Sequence, residues 1–191
     1  MLRKIFSAAV LAAAIFLAGT VSAATSVEMQ EVAVVLEPPV ETFDKPEEVH
    51  DSISQTVDKI FKYATNFSVE SIDETAGYLQ IYREENELEG ADAFLKKSDV
   101  EKICQNLSKD FLIYLRVTGA APKVNGISDY IMNGGSSDSA KVVLDFRVWS
   151  KEKGDFTYTK RVTKTDYTLE RGLKKCLQEI EKDAARVRAA M

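Results

Sequence analysis

The stretch KVVLDFRVWSKEKGDFTYTKRV, residues 141–162, decides the fold because it predicts two antiparallel strands joined by a tight turn. Apolar and polar residues alternate on both sides of residues 152–155, and Gly154 in that turn can adopt the positive φ that hairpins favour. The alternation directs the even-numbered side chains of the first strand toward a packed core. It directs Arg147 and Trp149 to the opposite face, outside that core.

The rest of the chain supplies partners for this hairpin. Apolar runs predict strands at 28–36, 66–71 and 110–118, and helical spacing predicts helices from residues 46, 73, 98 and 168. Ser98 and Glu101 form a capping box for the third helix, and Thr168 caps the last one. The order β-α-β-α-(α)-β-β-β-α defines the fold class as α/β, of the layered α+β sandwich type. Amphipathic helices pack on a mixed sheet of about five strands that ends in the hairpin.

The first 23 residues have the layout of a secretory signal peptide. Arg3 and Lys4 precede an apolar run, and the residues that follow it, 21–23, are small enough for cleavage. A retained membrane anchor is the alternative, although a spanning helix usually needs about 20 apolar residues. Cleavage would leave residues 24–191 as a single α/β domain with no transmembrane segment, exported to the periplasm or the extracellular space.

Charge is distributed unevenly along the chain. The net charge is −5, and residues 24–105 hold 19 acidic and 7 basic residues. Nucleic acid is therefore not expected as a partner, because neutralising phosphates requires a dominant basic surface. The acidic front and the basic last helix either attract each other within one fold or mark an interaction surface.

The two cysteines, Cys104 and Cys176, leave two alternatives open. An exported chain enters a compartment that permits disulfides, so the pair can form one bridge. Both residues also lie on apolar helix faces, where a free thiol behaves as a small hydrophobic side chain.

No catalytic constellation stands out, so the sequence predicts a protein that is not an enzyme. His50 is the only histidine, and it lies among carboxylates, a pattern more typical of a solvent-facing helix residue than of a zinc site. The sequence therefore indicates no metal and no cofactor. The loop at 125–139 supports an alternative function as a small-molecule or sugar-binding sensor domain. Its apolar residues Tyr130 and Met132 either fold onto the core or bind a partner.

The face opposite the predicted core is the candidate site for a protein partner. Tryptophan, tyrosine and arginine are the residue types enriched in binding hot spots. Three interpretations remain open: cross-strand pairing on a solvated face, a protein-binding face, or a face that a helix covers. The candidate partner-binding residues, including two from the loop, are Tyr114, Arg116, Arg147, Trp149, Arg161, Tyr130 and Met132.

The strand DFLIYLRVTG at 110–119, the hairpin and the long terminal helix together resemble the periplasmic α/β domain of the curli secretion channel family. They are also similar to the amino-terminal domain of the Tol-Pal translocation protein TolB. The turn differs from the family pattern at Lys153-Gly154-Asp155, and the lipid-anchoring cysteine of the channel lipoproteins is missing. The resemblance implies an α/β fold, a cell-envelope setting and another envelope or secreted protein as partner.

Overall fold

A computed structural model describes residues 28–38, 43, 45–88, 93–120 and 139–191. The predicted signal peptide at 1–23 lies outside these residues, as do Tyr130 and Met132. Both predictions therefore stay predictions.

A five-stranded mixed sheet forms the centre of the fold, as the sequence predicts. The strands are β1 (Gln30–Leu36), β2 (Phe67–Glu70), β3 (Phe111–Ala120), β4 (Ala140–Ser150) and β5 (Asp155–Asp166), and they lie in the order β2-β1-β3-β4-β5. β1 runs parallel to both of its neighbours, whereas β3, β4 and β5 form an antiparallel meander. The central position of β1 explains its apolar residues on both faces.

In the described ranges, five helices flank the sheet: α1 (Pro46–Phe61), α2 (Ile72–Glu85), α3 (Lys97–Asn106), α4 (Leu169–Lys182) and α5 (Ala184–Ala189). Thr168 caps α4 by accepting a hydrogen bond from the Arg171 amide, as expected. The start of α3 differs from the prediction. The carboxylate of Asp99 accepts from the Lys96 amide at 2.7 Å, so the capping interaction precedes Ser98. Within the described ranges, no helix combines the length and apolarity needed to cross a membrane.

The larger of two hydrophobic cores lies between the sheet and helices α1, α4 and α5. Alternate residues of each strand face it, and on β4 these are the even-numbered ones, as the hairpin pattern predicts. The buried residues that β3 and β4 contribute are Phe111, Ile113, Leu115, Val117, Ala140, Val142, Leu144, Phe146 and Val148.

A second, smaller core lies on the opposite face of the sheet, beneath α2 and α3. Val35 of β1 and Leu112 of β3 supply its floor, and Leu79 of α2 and Ile103 of α3 supply its roof. The sheet is therefore covered by helices on both faces, but α3 packs mainly on β3 and β4, and β5 is an edge strand. This partial cover decides which predicted site residues reach the surface.

Candidate functional site

Trp149 is buried, which corrects the expectation that it lies outside the core. Its side chain does point to the face predicted for it, but that face is closed at this end by α2 and α3. Trp149 is 1% exposed and Tyr114 3% exposed, and both belong to the second core. Of the three interpretations of this face, cover by helices is the one that applies to these two residues. Neither can contact a partner directly.

A register shift in the hairpin adds a residue to the second core. Val148 pairs with Tyr158 but Trp149 pairs with Phe156, so Thr157 is an extra residue on β5. The shift turns Phe156 toward the Trp149 face, whereas strict alternation predicts it on the other face. The two rings meet at 83° with centroids 5.2 Å apart, an edge-to-face contact.

The other end of the same face stays partly open and carries three arginines. In the strand register, Arg116 of β3 lies opposite Asp145 of β4, which lies opposite Arg161 of β5. Arg147 lies in the next row, between Tyr114 and Thr159. We call Arg116, Arg147 and Arg161 the arginine face. The sheet thus brings together three of the seven predicted partner-binding residues at an accessible surface.

Aromatic rings hold two of these arginines in place. The guanidinium of Arg147 lies 5.9 Å from the ring centre of Tyr114 and 5.4 Å from that of Phe156. The guanidinium of Arg116 stacks on the ring of Phe94. Cation–π contacts of this kind stabilise a partly desolvated arginine by about 1–2 kcal/mol. Tyr114 therefore supports Arg147 from within the second core.

Carboxylates are distributed unequally over the arginine face. Arg161 pairs with Asp145 at 3.7 Å, and Asp145 is buried while Arg161 is exposed. Within the part of the chain that the structure describes, no carboxylate oxygen lies within 4.0 Å of Arg116 or Arg147. The Nε atoms of both arginines are buried and make no hydrogen bond.

A buried carboxylate, Glu37, lies behind this face at the end of β1. Glu37 is 1% exposed, and its Oε1 accepts a hydrogen bond from the Leu95 amide at 2.6 Å. Burial raises the pKa of the Tyr114 phenol, and the neighbouring Glu37 carboxylate raises that pKa further. The positive charges of Arg116 and Arg147 act in the opposite direction. Glu37 therefore connects the arginine face to the end of β1.

A groove of about 650 Å³ opens at the carboxyl end of β1. α1 connects β1 to β2 on one face of the sheet, and α2 and α3 connect β2 to β3 on the other face. Because β2 and β3 lie on either side of β1, the carboxyl end of β1 is a topological switch point. At the rim of the groove, the Nε2 atom of His50 lies 3.3 Å from Oδ1 of Asp73. Its apolar lining consists of Leu36, Pro38, Ile72, Ala76, Leu79 and Leu88.

The sequence reasoning missed this groove because it depends on topology. Periodicity identifies the strand and both helices, but it does not order the strands. Only the arrangement β2-β1-β3 brings the first turns of α1 and α2 to the end of one strand. The available signal was Pro38, which ends β1 and starts the connection to α1.

The two cysteines lie in different cores on opposite faces of the sheet. Cys104 belongs to the second core, Cys176 to the first, and both are buried and free. A bridge between them would have to pass through the sheet, so the disulfide alternative is wrong for this fold. Burial raises the pKa of each thiol to about 11. Neither residue has the lowered pKa of a reactive nucleophile.

No group of three or more histidine, cysteine, aspartate or glutamate residues could hold a metal ion among residues 28–38, 43, 45–88, 93–120 and 139–191. In these ranges, Asp73 is the only residue with a carboxylate oxygen within 4.0 Å of a His50 ring nitrogen. The features that could bind another molecule are the guanidinium groups of the arginine face and the apolar groove at the end of β1.

No model of a known protein family matches the chain, and no curated protein sequence matches it. Solved structures share its backbone arrangement. The PelC dodecamer from Paraburkholderia phytofirmans matches at 9% identity over 82% of this chain and 87% of that chain, with a TM-score of 0.47. The LpoB C-terminal domain from Escherichia coli matches at 13% identity over 78% of this chain and 92% of that chain, with a TM-score of 0.37.

TolB from Acinetobacter baumannii matches at 9% identity over 83% of this chain and 28% of that chain, with a TM-score of 0.36. TolB, which the sequence resembles, is thus among the similar structures, while the resemblance to the curli channel stays a prediction. Similarities at these TM-scores carry no argument about function.

Proposed function

We propose that the chain is a non-enzymatic binding domain of the cell envelope, exported to the periplasm or the extracellular space. Its role is to dock or assemble with another envelope or secreted protein through the arginine face. The signal-peptide layout of residues 1–23 supports the location. A docking role needs a rigid surface rather than a catalytic cleft, and β3, β4 and β5 supply that surface.

The observation that carries this proposal is the set of three arginines on one face of the antiparallel meander. Arginine is over-represented in protein interfaces and among the residues that dominate binding energy. Long side chains held on a sheet lose little freedom on binding, because the strands and the stacked rings already fix them. Arg161 at the exposed end can make the first contact with a partner.

Site-specific photo-crosslinking in the producing cells tests this proposal. A photoreactive residue at Thr163, beside Arg161 on β5, should form an adduct with a second protein. The same residue at Asp58, which is exposed on α1 over the other core, is the matched control and should not form it. The double variant Arg147→Gln, Arg161→Gln should lose the adduct. An adduct that forms equally at both positions, or survives the double variant, overturns the assignment.

The groove at the end of β1 favours a second candidate function, small-molecule binding. Its volume of about 650 Å³ and mainly apolar lining suit a compact, largely uncharged ligand. Most of the 125–139 loop, the site first predicted for such a ligand, lies outside the described residues. A ligand found in a thermal-shift panel should lose its stabilising effect in Ala76→Phe, which fills the groove, and keep it in Ile81→Phe, at an exposed position on the same helix. A panel with no hit leaves protein docking as the only candidate.

A further inference from the structure

We propose that Arg116 and Arg147 form a binding subsite for a carboxylate group. This inference deepens the proposed function and rests on it, because the carboxylate would belong to an acidic side chain of the docked protein. The two arginines would then carry the specificity of the arginine face.

The register of β3 and β4 places the two arginines in adjacent rows on one face of the sheet. Arg116 lies opposite Asp145 and Tyr114 lies opposite Arg147, so the two arginines are diagonal neighbours on one face. Diagonal neighbours in an antiparallel pair are about 7–8 Å apart at the backbone, within the reach of long side chains. One carboxylate can therefore approach both cationic forks.

Stacking leaves the hydrogen-bonding edges of these groups available. Phe94 covers Arg116, and Tyr114 and Phe156 both contact Arg147. The N–H donors of a guanidinium lie in its plane, so a ring above that plane leaves them unblocked. The Nε atoms are buried, so the terminal Nη1 and Nη2 groups are the ones that a ligand would reach first. The rings also keep water from part of the site, which strengthens the attraction between a guanidinium and an incoming anion.

The described part of the chain does not satisfy these donors, although it supplies carboxylate partners to lysines elsewhere in the fold. Lys160 pairs with Asp183 at 2.8 Å, and Lys109 pairs with Glu70 at 2.9 Å. Arg116 and Arg147 have buried Nε atoms without an acceptor and no carboxylate within 4.0 Å in the described ranges. Buried donors without acceptors cost free energy, and a ligand that supplies acceptors removes the cost.

The local charge selects a carboxylate over a more highly charged anion. Three arginines face two buried carboxylates, Glu37 and Asp145. The resulting excess is about one positive charge, which a carboxylate balances. A phosphate carries up to two negative charges at neutral pH and would meet repulsion from both buried carboxylates.

Nuclear magnetic resonance of the ¹⁵N-labelled protein tests the subsite directly, through the arginine Nε–H signals. The probes are a hexaglutamate peptide, a matched hexaglutamine peptide and sodium acetate, all at one ionic strength. We expect the signals of Arg116 and Arg147 to shift with hexaglutamate and not with hexaglutamine. Sodium acetate should compete with the peptide, which shows that the carboxylate itself is bound.

Substitutions separate the subsite from general attraction to a basic surface. Arg116→Gln and Arg147→Gln should each weaken hexaglutamate binding about tenfold or more, the range for a charge-assisted hydrogen bond. Arg147→Lys should weaken it similarly, because lysine lacks the planar fork. Arg171→Gln is the matched control and should change it less than about threefold, because Arg171 lies on α4, over the other core, and pairs with Asp166 at 3.7 Å.

Two results would overturn the subsite: no movement of the two Nε–H signals, or a loss in Arg171→Gln as large as that in Arg147→Gln. Unchanged far-ultraviolet circular dichroism and cooperative melting of each variant show that it is folded. The peptide titration needs no natural partner. A positive titration with no photo-crosslink at Thr163 would therefore reject the docking function while keeping the carboxylate subsite.

Discussion

Trp149 and Phe156 meet edge to face across the β4–β5 hairpin, with their ring centroids 5.2 Å apart. The contact exists because Thr157 is an extra residue that rotates the start of β5. Lys97 of α3 lies over the Trp149 ring and forms a 2.8 Å ion pair with Asp155, the first residue of β5 after the hairpin turn. The hairpin end is thereby fixed to α3, and Trp149 is sealed inside the second core.

Replacing Trp149 with alanine should destabilise the fold strongly. A fully buried aromatic side chain leaves a large cavity, and such a change costs about 3–5 kcal/mol of unfolding free energy. Urea unfolding measures the loss of unfolding free energy. It is followed by circular dichroism because the variant lacks the only tryptophan, and with it the tryptophan fluorescence signal. Thr163→Ala, at an exposed position on β5, is the control and should change the free energy by less than about 0.5 kcal/mol. A cost below 1 kcal/mol for Trp149→Ala would contradict its burial.

Two glycines in helices should respond to alanine in opposite directions. A Cβ atom on Gly172 would lie 2.9 Å from Cγ2 of Val142, because α4 packs directly on β4 there. Gly172→Ala should therefore cost about 1–3 kcal/mol through overpacking. Gly77 in α2 has no atom within 4 Å of an added Cβ, so Gly77→Ala should stabilise the fold by up to about 1 kcal/mol. Denaturant midpoints of both variants check this difference, and equal shifts would refute the close approach of α4 to β4.

Glu37 should be more important as a hydrogen-bond acceptor than as a charge. Glu37→Ala leaves the Leu95 amide without its acceptor in a buried position, at a cost of about 1–3 kcal/mol. Glu37→Gln keeps an oxygen there and should retain more of the stability. Urea unfolding of both variants at neutral pH makes the comparison. Equal losses would show that the charge, rather than the acceptor oxygen, is what stabilises this corner.

Both thiols should be inaccessible in the folded chain and free in the unfolded one. A thiol reagent added without reductant should detect two thiols in denaturant and essentially none under native conditions. Burial raises both thiol pKa values from 9.0 to about 11. The unfolded chain therefore loses thiol protons first, so these groups lower the stability as the pH rises above about 9. Failure to detect any thiol in denaturant would restore the disulfide alternative.

Asp183 should make the fold sensitive to acid. Hydrogen bonds from Lys160 and then Tyr158 lower the pKa of the Asp183 carboxyl below its usual value. Because the folded pKa is the lower one, this contribution is present above the unfolded pKa of about 3.9. It is lost as the pH falls through the folded value. Urea midpoints between about pH 2 and 6 should fall less steeply for Asp183→Asn than for the parent chain.

The control for this measurement is Asp58→Asn, at an exposed position on α1. Its acid profile should follow that of the parent chain. A profile for Asp183→Asn that matches the parent equally well would show that the contact with β5 does not depend on the carboxylate charge.

Periodicity in the sequence predicts most of the fold because side-chain direction along a strand is a local property. The even-numbered residues of β4 face the large core as expected, and the element order is confirmed. Phe156 departs from the prediction because a single inserted residue reverses the alternation beyond it. No composition signal marks Thr157 as that residue.

The candidate site is less predictable because it depends on which helix lies over which strand. Alternation places Trp149 and Arg147 on one face equally well. The position of α3 over the sheet, which depends on both helical connections before β3, buries Trp149 and leaves Arg147 at the edge of the covered area. Arg116 and Arg147 can be identified from the pattern, but the lack of an acceptor for their buried Nε atoms, within the part of the chain that the structure describes, is a result of tertiary structure.

The place of β1 in the sheet has a consequence for synthesis. β1 is the first of the described strands, yet one of its two neighbours is β3, and the amide of Glu31 donates to Asp110, 79 residues away. An emerging chain that ends before residue 111 lacks β3, so the edge of β1 that pairs with β3 in the folded protein has no partner strand. We expect such fragments to associate through that open strand rather than fold, so translation and folding of this protein are separated in time.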